Sequence, residues 1–257
     1  MASIRRTDIL ALSGLRNDGR KPNEIRRMHI EMDDNSAVVS MGLSTAAARV
    51  TGPIDCQRRS DERPDRAIVE VSIQVLSFAT ADRRTSSSAT DRRVVEATHL
   101  IQKALEATIL VHTYPKTRIV VDISVLADDG GRLVVATNAA TLALLEAGIP
   151  MKDFVCACAA GFAGGSDTTS EPLVDLNRKE EVSGSAVIPC AILPQRGTVV
   201  MTLCEAHLQD YDEYQRLMDA ATDGCRAVFD NMQAAVKERA AAVLSASAGH
   251  ARIKLAS

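Results

Sequence analysis

Tryptophan is missing from the 257 residues, and aromatic side chains make up only 3% of them. The core must therefore be aliphatic, built from Ala, Val, Ile and Leu, and recognition by stacking bases on aromatic platforms is disfavoured. Nor is there an excess of positive charge. The formal net charge is −3 and the pI is near 6.0, which argues against a broadly basic nucleic-acid-binding surface. If RNA is a partner, it must meet a local basic patch or a channel shared with other chains. The six cysteines contain no CxxC pair and lie mostly in apolar segments, so they read as reduced core residues and not as zinc ligands or a disulfide framework. No apolar run approaches the roughly eighteen residues of a membrane span, and residues 1–10 lack the apolar centre of a signal peptide. An intracellular protein without a membrane partner is expected. GxGxxG, a Walker loop, GxSxG and HExxH are all absent, which disfavours nucleotide hydrolysis, serine hydrolysis and zinc chemistry. The five histidines are dispersed, and no metal site is expected from them.

What the chain does have is apolar content, 46%, enough for a sizeable core in one large domain or two smaller ones. Its most informative stretch is residues 127–161, ADDGGRLVVATNAATLALLEAGIPMKDFVCACAAG. Asp128, Asp129, Gly130 and Gly131 form a glycine loop whose bare backbone can turn sharply and present N–H groups to an anion. A helix follows, with Leu133, Ala136, Ala140, Leu144 and Ala147 at helical spacing, Gly148 placed for a left-handed C-cap and Pro150 blocking continuation. The uncharged segment 154–160 predicts a buried strand, and its CACAA core is small enough for a helix to pack closely on it.

Residues 1–27 form an arm rich in charge and turn formers, predicted to be an ordered loop. From residue 28 to 51 the pattern predicts a meander of short strands with a turn at Asp33, Asp34 and Asn35, and residues 52–66 read as an exposed polar loop. Val69, Val71, Ile73 and Val75 alternate with polar residues as in a half-buried strand. A second polar loop, 77–90, holds Arg83 and Arg84 and feeds a helix capped by Thr90 or Asp91, with Val94, Ala97, Ile101, Ala104, Leu105 and Thr108 on one stripe. Arg92 and Arg93 fall in its first turn, where cations oppose the helix dipole. They fit a phosphate grip and two surface arginines paired with Asp91 and Glu96 about equally well. Another strand, with Ile119, Val121, Ile123 and Val125, leads into the glycine loop. Beyond residue 164, LVDLN reads as a short strand that carries Asp175, a candidate acid–base residue or a structural aspartate. Two further strands follow at 186–193 and 198–205. Residues 210–246 form one long helix with Tyr214, Leu217, Met218, Ala221, Cys225, Val228, Phe229, Met232 and Val236 on one face. The last residues, 246–257, are expected to be a flexible tail.

GLRNDGRKPNEIRR, DRRVVEATHLIQKALEATIL, the glycine loop, NAATLALLEAGIPMKDFVCACAAG and LVDLN together resemble the RNase PH family. More closely, they resemble the RNA exosome ring subunit of the type that carries phosphorolytic activity in archaea. The resemblance runs collinearly from about residue 15 to 240. It implies an α+β fold of two βαβα-type halves in one compact domain (28–245), assembled into a six-membered ring around an RNA channel. Partners would be other RNase PH-like subunits in a hetero-hexameric ring, RNA-binding cap subunits, a hydrolytic nuclease and single-stranded RNA, in the nucleus, nucleolus and cytoplasm.

In active relatives, inorganic phosphate attacks the 3′-terminal phosphodiester and releases nucleoside diphosphates. Two anions must meet, so arginines and backbone N–H groups must neutralise them, while a carboxylic acid protonates the leaving 3′ oxygen or holds a metal that does so. By resemblance, Arg92 and Arg93 match the pair that grips RNA and phosphate, Gly130, Gly131 and Arg132 match the phosphate loop, and Asp175 matches the first of two catalytic acids. Arg83 and Arg84 are candidates for the RNA channel. No organic cofactor is required; an active member would use inorganic phosphate, with Mg2+ as the candidate metal. Two positions depart from the active pattern. The second acid, six residues after the first, is Glu181 instead of aspartate, and Gly131 stands where a threonine or serine would offer its hydroxyl. They point to a non-catalytic ring subunit that guides RNA for 3′-to-5′ processing, including rRNA maturation. The alternative is an active phosphorolytic exoribonuclease; a bacterial-type tRNA-trimming enzyme is disfavoured by NAATLALLEAGIPMKD.

Overall fold

The alternating segments between residues 28 and 55 fold as a meander of β1 (Met28–Asp33), β2 (Ser36–Met41) and β3 (Ser44–Asp55). A computed structural model of the chain describes residues 15–56, 62–80, 91–162, 171–183, 186–205, 208 and 210–256, with side chains described up to residue 245. The β1–β2 turn uses Asn35 at φ 60°, a left-handed position that asparagine tolerates better than most residues. β3 runs to Asp55, four residues into the stretch expected to be loop, because its far end still finds partners on β5 (Thr117–Ala127). β4 (Ile68–Val75) pairs parallel with β5 through the crossover helix α1 (Arg92–Thr108), giving a five-stranded sheet in the order β1-β2-β3-β5-β4. Val69, Ile73 and Val75 are buried on one face of β4 and Val71 half-buried, while α1 buries Val94, Ile101, Ala104, Leu105 and Thr108, much of the expected stripe.

The second sheet is four-stranded and antiparallel: β7 (Leu173–Val174), β6 (Cys156–Gly161), β8 (Val187–Leu193) and β9 (Thr198–Thr202), in the order β7-β6-β8-β9. Helix α2 (Arg132–Glu146) lies between the two sheets and touches strands of both. Being enclosed on both sides, it is buried without interruption from Val134 to Leu144, where the sequence pattern anticipated one apolar face. Its end follows the expected cap, with Gly148 at φ 68° and the Ile149 N–H returning to Leu144 O at 3.1 Å. Two polar side chains inside this helix are fully engaged. Asn138 accepts from Ala157 N at 2.8 Å and donates to Ala157 O at 3.1 Å, and Thr141 donates to Val155 O at 2.9 Å, so side chains satisfy backbone groups of β6 and of the residue just before it.

The outer face of the second sheet is covered by α4 (Tyr211–Ala256), which buries Leu217, Ala221, Cys225, Val228 and Met232. Close approach is enforced at Gly224, where a Cβ would stand 2.6 Å from Cys158 Sγ and 2.6 Å from a Val174 methyl. The small CACAA strand is what admits it. Helical backbone continues through residues 246–256, where a flexible tail was expected; Ala, Arg, Lys and Leu there are good helix formers. Four of the cysteines, Cys156, Cys158, Cys190 and Cys225, are buried core residues as expected, and burial pushes the thiols of Cys156 and Cys158 well up. Cys56 is only half-buried and Cys204 is exposed, because each lies just past the end of its strand. The fold is thus α+β in two sheet-based halves, and among the described residues no helix is long and apolar enough to cross a membrane.

Candidate functional site

The glycine loop joins β5 to α2 and is wedged between the two halves. Gly130 and Gly131 have φ of 92° and 70°. A Cβ on Gly130 would lie 2.6 Å from the Arg178 amide nitrogen, and one on Gly131 would lie 2.8 Å from an Arg26 guanidinium nitrogen. Gly130 is needed for backbone angle and for space, since the neighbour is backbone, whereas at Gly131 the left-handed angle is what favours glycine. At position 131 the absent hydroxyl is therefore a consequence of how the loop is built.

Beneath the loop lies a buried ion pair. Asp175 Oδ2 accepts from Arg26 N at 2.8 Å and Nε at 3.0 Å, and Oδ1 accepts from Arg26 Nη2 at 2.7 Å. The same guanidinium donates to the carbonyls of Asp129 and Gly130 at 3.2 Å each and to Ser44 Oγ at 3.3 Å. Ser44 Oγ in turn donates to Gly130 O at 2.7 Å and accepts from Asp129 N at 2.9 Å. Burial works against the Arg26 charge, and the Asp175 carboxylate outweighs it, leaving the guanidinium more firmly protonated than usual. The arm is clamped further by Arg16, whose guanidinium donates to both oxygens of buried Glu180, and by Arg16 and Arg20, which donate to Asp175 O at 3.1 and 3.0 Å.

These contacts define the surroundings of Asp175. Asp175 sits just past the two-residue β7, at φ 53° and 1% exposed, with both carboxylate oxygens turned to Arg26. It holds the loop from below and does not line the cleft above it. The described part of the arm, residues 15–27, is the expected ordered loop. Arg26 and Arg16 went unrecognised in the sequence because their partners lie 149 and 164 residues away. The only local signal was the density of arginines in an arm otherwise read as an ordered loop.

Above the loop is a cleft of about 480 Å³, lined by Arg93, Glu96, Asp128, Gly131, Arg132, Glu181 and Glu205 over an apolar floor that includes Val134, Ala159 and Pro189. Arg93 and Arg132 therefore meet beside the glycine loop, but Arg92 does not join them. It lines the neighbouring outer face of α1 with His99 and Lys103, since adjacent residues on a helix are rotated by about 100°. Asp91 caps α1 by accepting from Arg93 N at 3.1 Å, while Thr90 lies outside the described residues. Asp128 lies 3.8 Å from Arg132 Nη1 and 3.9 Å from Arg178 Nη1. Glu181 comes from α3 (Arg178–Ser183), and its Oε1 accepts from Gly131 N at 2.7 Å. Burial, helped by the Asp128 charge, pushes the Glu181 carboxyl up, against the Gly131 N–H and the charges of Arg26 and Arg132. Among the described residues no three His, Cys, Asp or Glu side chains converge to hold a metal ion. Arg83 and Arg84 lie outside the described residues.

An α+β chain with this loop and cleft can be placed by comparison. Residues 24–150 match the 3′ exoribonuclease family, domain 1 (RNase PH), and residues 153–224 match domain 2 of the same family, the boundary falling between α2 and β6. The chain belongs to the RNase PH family. Among its relatives, the exosome complex component Rrp41 of Thermococcus kodakarensis is 38% identical over 88% of this chain and 90% of its own length. The exosome complex component RRP41 of Homo sapiens is 35% identical over 90% of this chain and 94% of its own. In fold the chain is similar to the crystal structure of rice Rrp46, with a TM-score of 0.74 at 23% identity, covering 86% of this chain and all of that one.

Proposed function

We propose that this chain is a ring subunit of an exosome-type complex, leading single-stranded RNA toward a hydrolytic nuclease partner and carrying out no phosphorolysis itself. The ring would be a hetero-hexamer of RNase PH-like subunits topped by RNA-binding cap subunits, acting in 3′-to-5′ RNA processing and degradation, rRNA maturation included, in the nucleus, nucleolus and cytoplasm. Identity at the level of 35–38% with exosome complex components supports the assembly. The observation that carries the non-catalytic part is the fate of the two expected acids: Asp175 is bound by Arg26 beneath the loop, and Glu181 is bound to the loop itself. Phosphorolysis needs an acid within hydrogen-bonding reach of the leaving 3′ oxygen while phosphate sits on the loop. Asp175 is engaged by Arg26 and does not line the cleft, and Glu181 is engaged by the Gly131 amide, which supports the non-catalytic reading. The second reading, an active phosphorolytic exoribonuclease, draws on Arg93 and Arg132 facing the same cleft as Gly131, a grouping suited to two phosphates.

The test is to purify the native complex through this chain, determine its mass, remove hydrolytic partners, and follow single-stranded RNA with and without phosphate. A hetero-hexameric ring whose RNA decay is indifferent to phosphate is expected. Release of nucleoside diphosphates on adding phosphate would establish the second reading, and a homohexamer formed by the chain alone would remove the exosome assignment.

A further inference from the structure

We infer that Glu181 is the chain's own ligand for the glycine loop, an internal carboxylate seated where free phosphate would bind and keeping it out. This deepens the non-catalytic reading of the cleft and rests on it. The Gly131 N–H stands at the mouth of α2, where helix geometry leaves backbone donors without partners inside the helix. That donor is already taken by Glu181 Oε1 at 2.7 Å, and the carboxylate reaches it from the other half of the molecule, 50 residues along the chain. It is held there from behind. Asn177 and Glu180 bond each other's backbone N–H at 3.0 Å, Glu181 N donates to Asn177 O at 2.9 Å, and Arg16 grips Glu180, so the short helix carrying Glu181 is anchored at its base. Side-chain length matters. An aspartate at this position would end one carbon sooner, about 1.5 Å short, beyond hydrogen-bonding reach of the amide without movement of α3.

The surroundings disfavour a second anion. Among the described residues, Arg93 and Arg132 line the cleft beside four carboxylates, those of Glu96, Asp128, Glu181 and Glu205. With Arg26 turned to Asp175 below, a phosphate arriving at the loop must expel Glu181 or sit against its charge. Glu181 thus determines which anions the cleft admits.

The experiment is a calorimetric titration of inorganic phosphate into the native assembly, purified with the parent chain or with Glu181→Gln, Glu181→Asp or Glu181→Ala. Only this subunit differs between samples, so the differences report this cleft. Phosphate should bind at least tenfold tighter with Ala or Asp at the position than with the parent. Gln should give a smaller gain, since its amide oxygen keeps the Gly131 bond but carries no charge. Glu181→Gln also preserves the packing, which guards against a variant that fails to fold. Equal phosphate affinity across parent, Gln, Asp and Ala would overturn the inference, as would a parent assembly in which phosphate already binds tightly at this loop. The ring assignment itself is read from native mass and RNA binding, so either can fail without the other.

Discussion

The two faces of one loop carry opposite kinds of electrostatics. Below it, Arg26 and Asp175 form a closed pair, 5% and 1% exposed, whose hydrogen bonds turn inward to each other, to Ser44 and to the loop carbonyls. Above it, Arg93, Arg132 and Glu181 border a cleft, and Glu181 pays for its place with a desolvated charge. The lower carboxylate is paired by a bidentate guanidinium, whereas the upper one is hydrogen-bonded by a single amide and feels Arg26 and Arg132 only at longer range, with an acid, Asp128, nearby. A charge that fixes structure has its partners built in; a charge at a working surface is left partly uncompensated, and its state can respond to what enters.

The difference should be sharpest in stability. Asp175→Ala leaves the Arg26 guanidinium buried without its carboxylate, and removing one partner of such a pair costs about 3–5 kcal/mol. Urea unfolding should show it as a large fall in midpoint. A loss below about 1 kcal/mol would mean that solvent reaches the underside of the loop and that the two faces are not distinct. Gly131→Thr comes next. The left-handed backbone at φ 70° costs a β-branched residue about 1–2 kcal/mol, and its Cβ displaces the Arg26 guanidinium. Combining it with Glu181→Asp should therefore yield a less stable chain with no gain in nucleoside diphosphate release. Gain of that release without loss of stability would show that the loop has room for the hydroxyl.

On the upper face the effects should fall on ligands. Arg93→Ala should weaken single-stranded RNA binding by the assembled ring and flatten its salt dependence by about 0.7 in slope for one lost phosphate contact. Arg92→Ala should change both less, since Arg92 lines another face of α1. Equal effects would return the two arginines to a single grip. The smallest effect concerns pH. Because the folded-state Glu181 carboxyl is raised, the native state binds more protons than the unfolded state between the ordinary and raised values, so its charge lowers stability as pH rises through that window. Glu181→Gln should be slightly more stable than the parent by thermal melting at neutral pH, with the advantage vanishing as pH falls below the ordinary carboxylate range. An advantage that grows in acid would reverse the sign of the burial effect.

Much of the scaffold was legible because its signals are local. The alternation in β4, the stripe of α1, the glycine that ends α2 and the apolar face of α4 are each written within a dozen or two residues. The site was legible only in part. Gly131 and Arg132 line one cleft with Arg93, and Gly130 turns the loop beside them. Asp175 was recognised as special, but its inward turn was not, because the guanidinium that holds it comes from the opposite end of the chain. The split between Arg92 and Arg93 depends on where the cleft lies around α1, which no helical pattern specifies.

By itself, then, the sequence determined the order and type of the elements, the aliphatic character of the core and the glycine loop, since propensity, periodicity and turn chemistry act between near neighbours. Only the tertiary structure decided what the charges do. Folding carried Arg26 beneath the loop to Asp175 and brought Glu181 over it to the Gly131 amide, and whether a carboxylate serves as acid, anchor or plug depends on which donors lie within about 3 Å of it, a distance set by the packing of the two halves.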